Sequence, residues 1–220
     1  MSDADVRHRA EFRYGAVFVL IVALLAFVIV APAGNAARAV VLALEGLALL
    51  VVVATSRERR EVRKARVRAL GVAAALAVAA VAFGALPLPV VFVTNGVLTL
   101  SILGALIGGL VRLVRLHGVT LQVVAGALTI YVLLGLIFAW LVSLVADVDA
   151  SAYFAEGGDA SLGERVYYSF TVLTTTGFGD LTAATPAGHA LAVVEMLLGQ
   201  LYLVTVIGVL VGSFAARSRS

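Results

Sequence analysis

The sequence predicts an all-α membrane protein with six transmembrane helices and one short helix that enters the membrane without crossing it. Of its 220 residues, 62% are apolar and 13% are charged, whereas soluble domains carry about 25% charged residues. Six apolar runs also approach the roughly 20 residues that a helix needs to cross a bilayer. These runs are 14–32, 36–55, 69–86, 90–114, 119–146 and 187–214.

The basic residues indicate how these spans are oriented. Six spans place both termini on one side of the membrane, and all Lys and Arg residues except Arg38 and Arg165 then fall on that side. Because cytoplasmic loops carry an excess of Lys and Arg, both termini are expected in the cytoplasm. The same rule explains the pI of about 9.6 without a nucleic-acid partner. The basic run 56–68 is expected to be a solvated loop that anchors this topology.

The segment between the last two spans is the most informative part of the chain. The run 164–174 is apolar and aromatic, and it is too short to cross a membrane. The sequence TTGFGD, residues 175–180, cannot continue it as a helix; we call these residues the glycine segment. Thr185 and Pro186 are then typical of the N-cap and first turn of a further helix. The predicted order is helix, half-helix, irregular segment, helix.

Irregular backbone is tolerated at membrane depth only where it is buried in protein or lines a water-filled path. Gly177 and Gly179 stand at alternate positions. Glycine accepts the positive φ needed for successive carbonyls to point the same way. Four such segments around one axis would surround a dehydrated cation with oxygens, and the hydroxyl of Thr175 would add one more ring. The C-terminal dipole of the half-helix would favour a cation at the same place.

The motif TTTGFGD, residues 174–180, resembles the potassium-channel signature, usually T-V-G-Y-G-D with Phe replacing Tyr in some members. The stretches YVLLGLIFAWLV, YYSFTVLTTTGFGD and AVVEMLLGQLYLVTVIGVLVG resemble prokaryotic potassium channels as well. The resemblance covers residues 119–214, whereas residues 1–118 share only the number of spans. It implies a four-span, voltage-sensor-like domain at 1–118 and a pore domain at 119–220. The pore domain would comprise an outer helix (119–146), a pore helix (164–174), a selectivity filter (175–180) and an inner helix (186–214).

The resemblance also implies what the protein does. Filter carbonyls replace the hydration shell of K⁺ in that family. The corresponding ion-binding residues here are Thr175, Thr176, Gly177, Phe178 and Gly179, with the Thr175 side chain as a further ligand. One filter sequence per chain implies a C4 homotetramer. It would conduct K⁺ passively through a lipid bilayer, the plasma membrane, with no cofactor. No enzyme activity is expected, because the spans lack a Ser–His, Asp–Asp or metal-ligand set.

Residues around the filter are expected to support it. Asp180 in the family often bonds an aromatic donor, which would be Tyr167 or Tyr168 here; a solvated charge that attracts cations is the alternative. Phe178 lacks the phenol hydroxyl of the usual Tyr, which removes one bond to the pore helix. Thr176 replaces the usual Val, and its buried hydroxyl needs a partner. The candidate partners are Thr171, Thr174, a pore-helix carbonyl and Glu195.

The last span is expected to line the cavity and gate. Gly199 lies where the family has a gating hinge, and helical spacing aligns a stripe below it. This stripe comprises Gln200, Leu203, Ile207 and Val211. Glu195 is about 140° away from Gln200 around the helix and should face the pore helix. It is either a hydrogen-bonded structural group or a proton sensor for gating.

The four-span region carries little of a voltage sensor. Its fourth span has only Arg112 and Arg115, both near the cytoplasmic end. Glu45 stands alone in the middle of the second span, and an intramembrane acid is by default a functional candidate. Arg112 could reach towards it as a partner; the alternative is that Arg112 and Arg115 only anchor the topology. The short linker that follows Arg115 predicts that each four-span unit lies beside its own pore.

Two other functions remain open from the sequence. The first is a weakly selective cation channel, because Thr176 departs from the usual Val. The second is a subunit of an active potassium uptake system, since those proteins also use re-entrant filter loops. They usually carry four such loops per chain, and this chain has one.

Overall fold

The computed structural model describes residues 3–32, 34–54, 60–148, 152–156 and 160–217. Their regular elements are helices, as the composition predicts. In chain order these are α1 (Asp3–Val30), α2 (Asn35–Ala54), α3 (Arg60–Ala82), α4 (Leu88–His117), α5 (Leu121–Val148), α6 (Leu162–Leu173), α7 (Pro186–Leu201), a π-helical turn (Tyr202–Ile207) and α8 (Gly208–Arg217). The last three follow one another without a gap, and we call them the α7–α8 run.

Four of the described helical runs are long and apolar enough to cross a membrane: α2, α4, α5 and the α7–α8 run. The other two predicted spans fall on α1 and α3. The apolar part of α1 among the described residues is Tyr14–Val30, which is shorter than the others. α3 begins inside the basic run. The membrane character of the chain is therefore clear, whereas the count of six spans stays a prediction.

α1 and α3 both begin well before their predicted starts. α1 begins at Asp3 and not at residue 14. α3 is predicted at 69–86 behind a solvated loop, but it begins at Arg60 and ends at Ala82. Its first two turns consist largely of Arg, Lys and Glu, which are good helix formers. Its end is set by Gly84, whose φ of 67° lies in the left-handed region. Residues 55–59, which hold the start of the basic run, lie outside the described residues.

α5 is the central helix of the described chain. It packs against α1, α4, α6 and the α7–α8 run. Fully buried apolar side chains recur along it every three or four residues, which is the spacing of one helix face: Val123, Ala127, Ile130, Leu133 and Leu136. Only three residues, 118–120, separate α4 from α5. The unit formed by α1–α4, which we call the four-helix unit, therefore lies beside the α5 of its own chain, as the short linker predicts.

The buried acid of α2 has partners other than the expected one. Glu45 is 1% exposed, and the Thr99 hydroxyl donates to its Oε1 at 3.1 Å. Trp140 Nε1 donates to the same hydroxyl at 3.2 Å. The predicted pair of Glu45 with Arg112 is wrong, because Arg112 is exposed and lies roughly 20 Å beyond Thr99 along α4 at 1.5 Å per residue. Arg115, a turn further on, is exposed as well. The acid instead links α2, α4 and α5.

This link generates a prediction about stability. Thr99→Val preserves the side-chain shape but removes the hydroxyl shared by Glu45 and Trp140, which leaves buried polar groups without a partner. Such a loss costs about 1–3 kcal/mol. The unfolding midpoint in detergent, followed by the fluorescence of the single tryptophan, should fall.

The matched control is Thr94→Val on the same helix. The Thr94 hydroxyl donates to Val90 O within its own helix, so its removal should change the midpoint little. Equal midpoints for the two variants would show that the link between the three helices contributes nothing to stability.

Candidate functional site: the end of a short helix and the segment after it

α6 begins with a capping box. Ser161 is the N-cap, its hydroxyl accepts from the Glu164 amide at 3.3 Å, and the Glu164 carboxylate accepts from the Ser161 amide at 2.7 Å. The 12-residue helix ends at Leu173, so its length is about 18 Å. That is well short of the hydrocarbon core of a bilayer, about 30 Å. The predicted bounds of 164–174 differ by two residues at the start and one at the end.

The first turn of α6 is held by three other helices. A Cβ on Gly163 would lie 2.6 Å from Ile29 O, so α1 approaches the backbone itself. Arg165, expected on the outer side of the membrane, is 7% exposed and pairs with Asp147 of α5 at 3.3 Å. Its guanidinium also lies 5.8 Å from the centroid of the Phe92 ring on α4. These contacts fix where the helix starts.

The last carbonyl of α6 is enclosed by α5 and α7. The Tyr131 hydroxyl on α5 donates to Leu173 O at 3.3 Å. On the other side, a Cβ added to Gly199 would collide with the same oxygen. α7 continues as an α-helix through Gly199 and changes to a π-helical turn at Tyr202. In this structure Gly199 is thus a point of close packing, and the irregularity of the run lies one turn further on.

The amides that follow α6 turn back onto the helix. The backbone N–H groups of residues 174–177 all donate to carbonyls of the last turn, over 2.9–3.1 Å. No backbone hydrogen bond among the described residues ends on a carbonyl of residues 175–179. All of the side chains from 174 to 180 are exposed in the single chain. The carbonyl oxygens of the segment are therefore free to accept or to coordinate.

Positive φ angles alternate along this segment. They occur at Thr175 (58°), Gly177 (51°) and Gly179 (79°). The positive φ expected at the two glycines is confirmed. The angle at Thr175 was missed, because a β-branched residue seldom adopts it. Such a conformation costs of order 1–3 kcal/mol and persists only where surrounding contacts impose it; here the N–H groups on both sides of residue 175 are tied to α6.

The hydroxyl of Thr176 has a partner. Its Oγ1 lies 2.8 Å from Thr174 Oγ1, and Thr174 in turn donates to Phe170 O at 2.7 Å. Thr174 was one of the partners expected from the sequence. The two hydroxyls form a chain that runs back to α6, so Thr176 does not compete for the carbonyls of its own segment.

Tyr167, and not Tyr168, is the aromatic partner of the acid after the glycines. The Tyr167 hydroxyl interacts with the Asp180 carboxylate, and its ring stacks on Phe178 at 6.3 Å with an interplanar angle of 4°. Tyr168 is buried and meets the Phe154 ring edge-on at 5.1 Å. The stack and the interaction with Asp180 support the glycine segment from the α6 side.

Glu195 is fully buried and faces α6, on the side where helical spacing puts it. Its Oε1 is hydrogen-bonded to the Ser169 hydroxyl in the middle of α6. Ser169 also donates to Gly135 O of α5 at 2.8 Å. One serine therefore joins α5, α6 and α7 behind the glycine segment.

The predicted stripe of cavity residues does not stay on one face. Its spacing assumed a regular α-helix, whereas the π-helical turn changes the register after Leu201. Gln200 and Val211 are exposed, but Leu203 is partly covered and Ile207 packs against the core of its own chain. Leu203 and Ile207 therefore do not share one exposed face with Gln200 and Val211, as the predicted stripe requires.

The loop before α6 is clamped to the loop after the glycine segment. Phe154 and Ala183 form an isolated antiparallel bridge. The Glu156 carboxylate accepts from the Thr182 amide at 3.1 Å and from its hydroxyl at 2.8 Å. The amide of Thr182, then the backbone amide of Glu156 itself and the Thr182 hydroxyl, hold the pKa of Glu156 below its usual range.

Comparison with known families identifies the region that contains α6 and the glycine segment. Residues 126–215 match the family model described as ion channel. The chain therefore carries an ion channel domain, which extends from the first turns of α5 to the end of α8 and includes α6 and the glycine segment. Neither the curated proteins nor the solved structures gave a match to this chain.

Close packing at Gly199 yields a prediction. Gly199→Ala should push α7 away from Leu173 O, and overpacking of this kind costs typically 1–3 kcal/mol. The thermal midpoint in detergent should fall. Gly104→Ala on α4 is the control, because a Cβ there meets nothing within 4 Å. A Gly199→Ala protein as stable as the control would show that the approach of α7 to α6 is not tight.

The Glu156 clamp should depend on pH. Because its folded pKa is lowered, the stabilisation is complete above the ordinary carboxyl pKa and is lost as the pH falls through the lowered value. Amide exchange at Thr182 should therefore lose protection on acidification. The Ala184 amide, which donates to Tyr153 O, serves as an internal control and should stay protected. Parallel loss at both amides would contradict a role for the carboxylate.

Proposed function

We propose that the protein is a potassium-selective channel whose glycine segment is its selectivity filter. The observation that carries this proposal is the hydrogen bonding of the backbone after α6. Four successive amides are tied to the helix, so the carbonyls that follow are left to bind something else. Inside a membrane-embedded ion channel domain, the groups that need such oxygens are partly dehydrated cations.

The proposed ligands are the carbonyls of Thr175, Thr176, Gly177 and Phe178, with the Thr175 hydroxyl. A single chain offers one row of oxygens, which cannot surround an ion. Four chains around a common axis would close the ring, which makes the working unit a homotetramer. The α7–α8 run supports this, since only 17% of its span is buried inside the chain. Its exposed apolar residues would then contact other copies: Leu197, Leu198, Leu201 and Val204.

Selectivity for K⁺ over Na⁺ is favoured by the hydrogen bond that the Thr176 hydroxyl makes. A free hydroxyl there would compete for groups of the filter and loosen the carbonyls. The bond to Thr174 removes that competition. The support of Phe178 and Asp180 by Tyr167 acts in the same direction. These contacts favour a selective channel over a weakly selective one, and the single glycine segment per chain favours a channel over an uptake-system subunit.

The proposed setting is the plasma membrane, with both termini in the cytoplasm. All basic residues except Arg38 and Arg165 support this orientation. In it, the Glu156 clamp and Asp180 lie at the outer mouth, where negative charge would attract cations. Flow would be passive and would need neither catalysis nor a cofactor.

Gly177→Ala tests the filter directly. A Cβ at this position meets nothing within 4 Å, so the substitution acts through the positive φ of 51°, which costs an L-residue about 1–2 kcal/mol. The carbonyls should turn, and K⁺ flux into liposomes driven by a K⁺ gradient should be lost, while tetramer assembly is retained. Gly179→Ala should behave in the same way.

Gly108→Ala on α4 is the matched control, because it adds the same methyl group in open space and should leave flux unchanged. K⁺ flux at the wild-type level from assembled Gly177→Ala protein would overturn the assignment of the filter.

A further inference from the structure

Two tyrosines connect the π-helical turn to the end of α6. The rings of Tyr131 on α5 and Tyr202 stack at 5.8 Å with an interplanar angle of 29°. The Tyr131 hydroxyl donates to Leu173 O at 3.3 Å. The Tyr202 hydroxyl donates to Ala127 O at 2.7 Å. The pair therefore reaches from the irregular part of the α7–α8 run to the last residue before the glycine segment.

The carbonyl that Tyr131 contacts belongs to the last residue of α6. The last four carbonyls of a helix have no partner within it. In α6 the carbonyls of Phe170, Thr171 and Val172 accept the amides that follow the helix. Leu173 O is not among these acceptors, and Leu173 is fully buried. The Tyr131 hydroxyl is thus the donor to the one terminal carbonyl of α6 that accepts no amide from the residues after the helix.

Tyr202 contacts α5 at two successive turns. Ala127 precedes Tyr131 by one helical turn on α5, so the Tyr202 side chain is bonded at one turn and stacked at the next. Tyr202 is also the first residue of the π-helical turn. A change of this turn to α-helical geometry would rotate α8 relative to Tyr202, because the two helix types differ in residues per turn.

We propose that Tyr131 is a positioning residue for the filter and that Tyr202 acts through it. The register of the α7–α8 run would then determine the position of Leu173 and of the filter carbonyls that follow it. This inference rests on the proposed function. The amides of residues 174–177 depend on the last turn of α6; a shift of Leu173 therefore moves the carbonyls that bind the ions. Neither tyrosine belongs to the filter itself.

Three single variants separate this role from packing. Tyr131→Phe and Tyr202→Phe each remove one hydroxyl and keep the stacked rings. Thr129→Val removes a fully buried hydroxyl of α5 that donates to Ala125 O within that helix. The full-length chain carrying each change is reconstituted in planar bilayers, and the ratio of K⁺ to Na⁺ permeability is measured from reversal potentials.

Tyr131→Phe should lower this ratio several-fold, and Tyr202→Phe should lower it less. The double variant should match Tyr131→Phe, because residues that act through one another are not additive. Thr129→Val should match the wild type. A wild-type ratio in Tyr131→Phe, or additive losses in the double variant, would overturn the inference. A wild type without preference for K⁺ would instead overturn the proposed function.

Amide exchange provides a readout that needs no current. Exchange at the amides of Thr176 and Gly177 in detergent should be faster in Tyr131→Phe than in Thr129→Val, at equal thermal midpoints. Equal exchange in the two variants would overturn the positioning role. If Tyr131→Phe fails to assemble, Tyr202→Phe carries the same comparison, with the smaller increase supporting the inference and no increase contradicting it.

Discussion

The need of every buried backbone amide for a hydrogen-bond partner determines how this chain is built around its glycine segment. In the low dielectric of a membrane an unpaired amide costs several kcal/mol. The four amides of residues 174–177 meet this requirement on the last turn of α6. These hydrogen bonds leave the carbonyls of the segment unpaired, and they tie the positions of those carbonyls to one short helix. Whatever fixes α6 therefore fixes the oxygens.

Both ends of α6 are fixed by small residues and by bonds to neighbouring helices. Gly163 admits the backbone of α1, and Gly199 admits α7 against Leu173 O. Arg165 pairs with Asp147 near one end, and Tyr131 reaches the other. Ser169 joins the middle of α6 to Glu195 and Gly135. α5 takes part in three of these contacts, through Asp147, Tyr131 and Gly135. It also packs against α1 and α4, and so joins the four-helix unit to the ion channel domain.

Features governed by local chemistry were predictable from the sequence, and those governed by tertiary contacts were not. The cap at Thr185, the shortness of α6 and the positive φ of the two glycines follow from residue type alone. The partners of Glu45 could not be deduced, because Thr99 and Trp140 are distant in sequence and carry no charge. The π-helical turn contains no Pro or Gly that would predict it from the sequence. The cavity stripe was therefore predicted with regular α-helical spacing, whereas Ile207 packs against the core of its own chain. The motif at 174–180 carried the functional prediction, whereas the four-helix unit offers no comparable signal.

The most direct test of the central claim is the reversal potential of the reconstituted wild-type protein, with K⁺ on one side of a planar bilayer and Na⁺ at equal concentration on the other. If the carbonyls after α6 form a selective filter, the current should reverse at a large potential of the sign set by the K⁺ gradient. A reversal near zero would mean that K⁺ and Na⁺ pass equally well, and it would contradict the account.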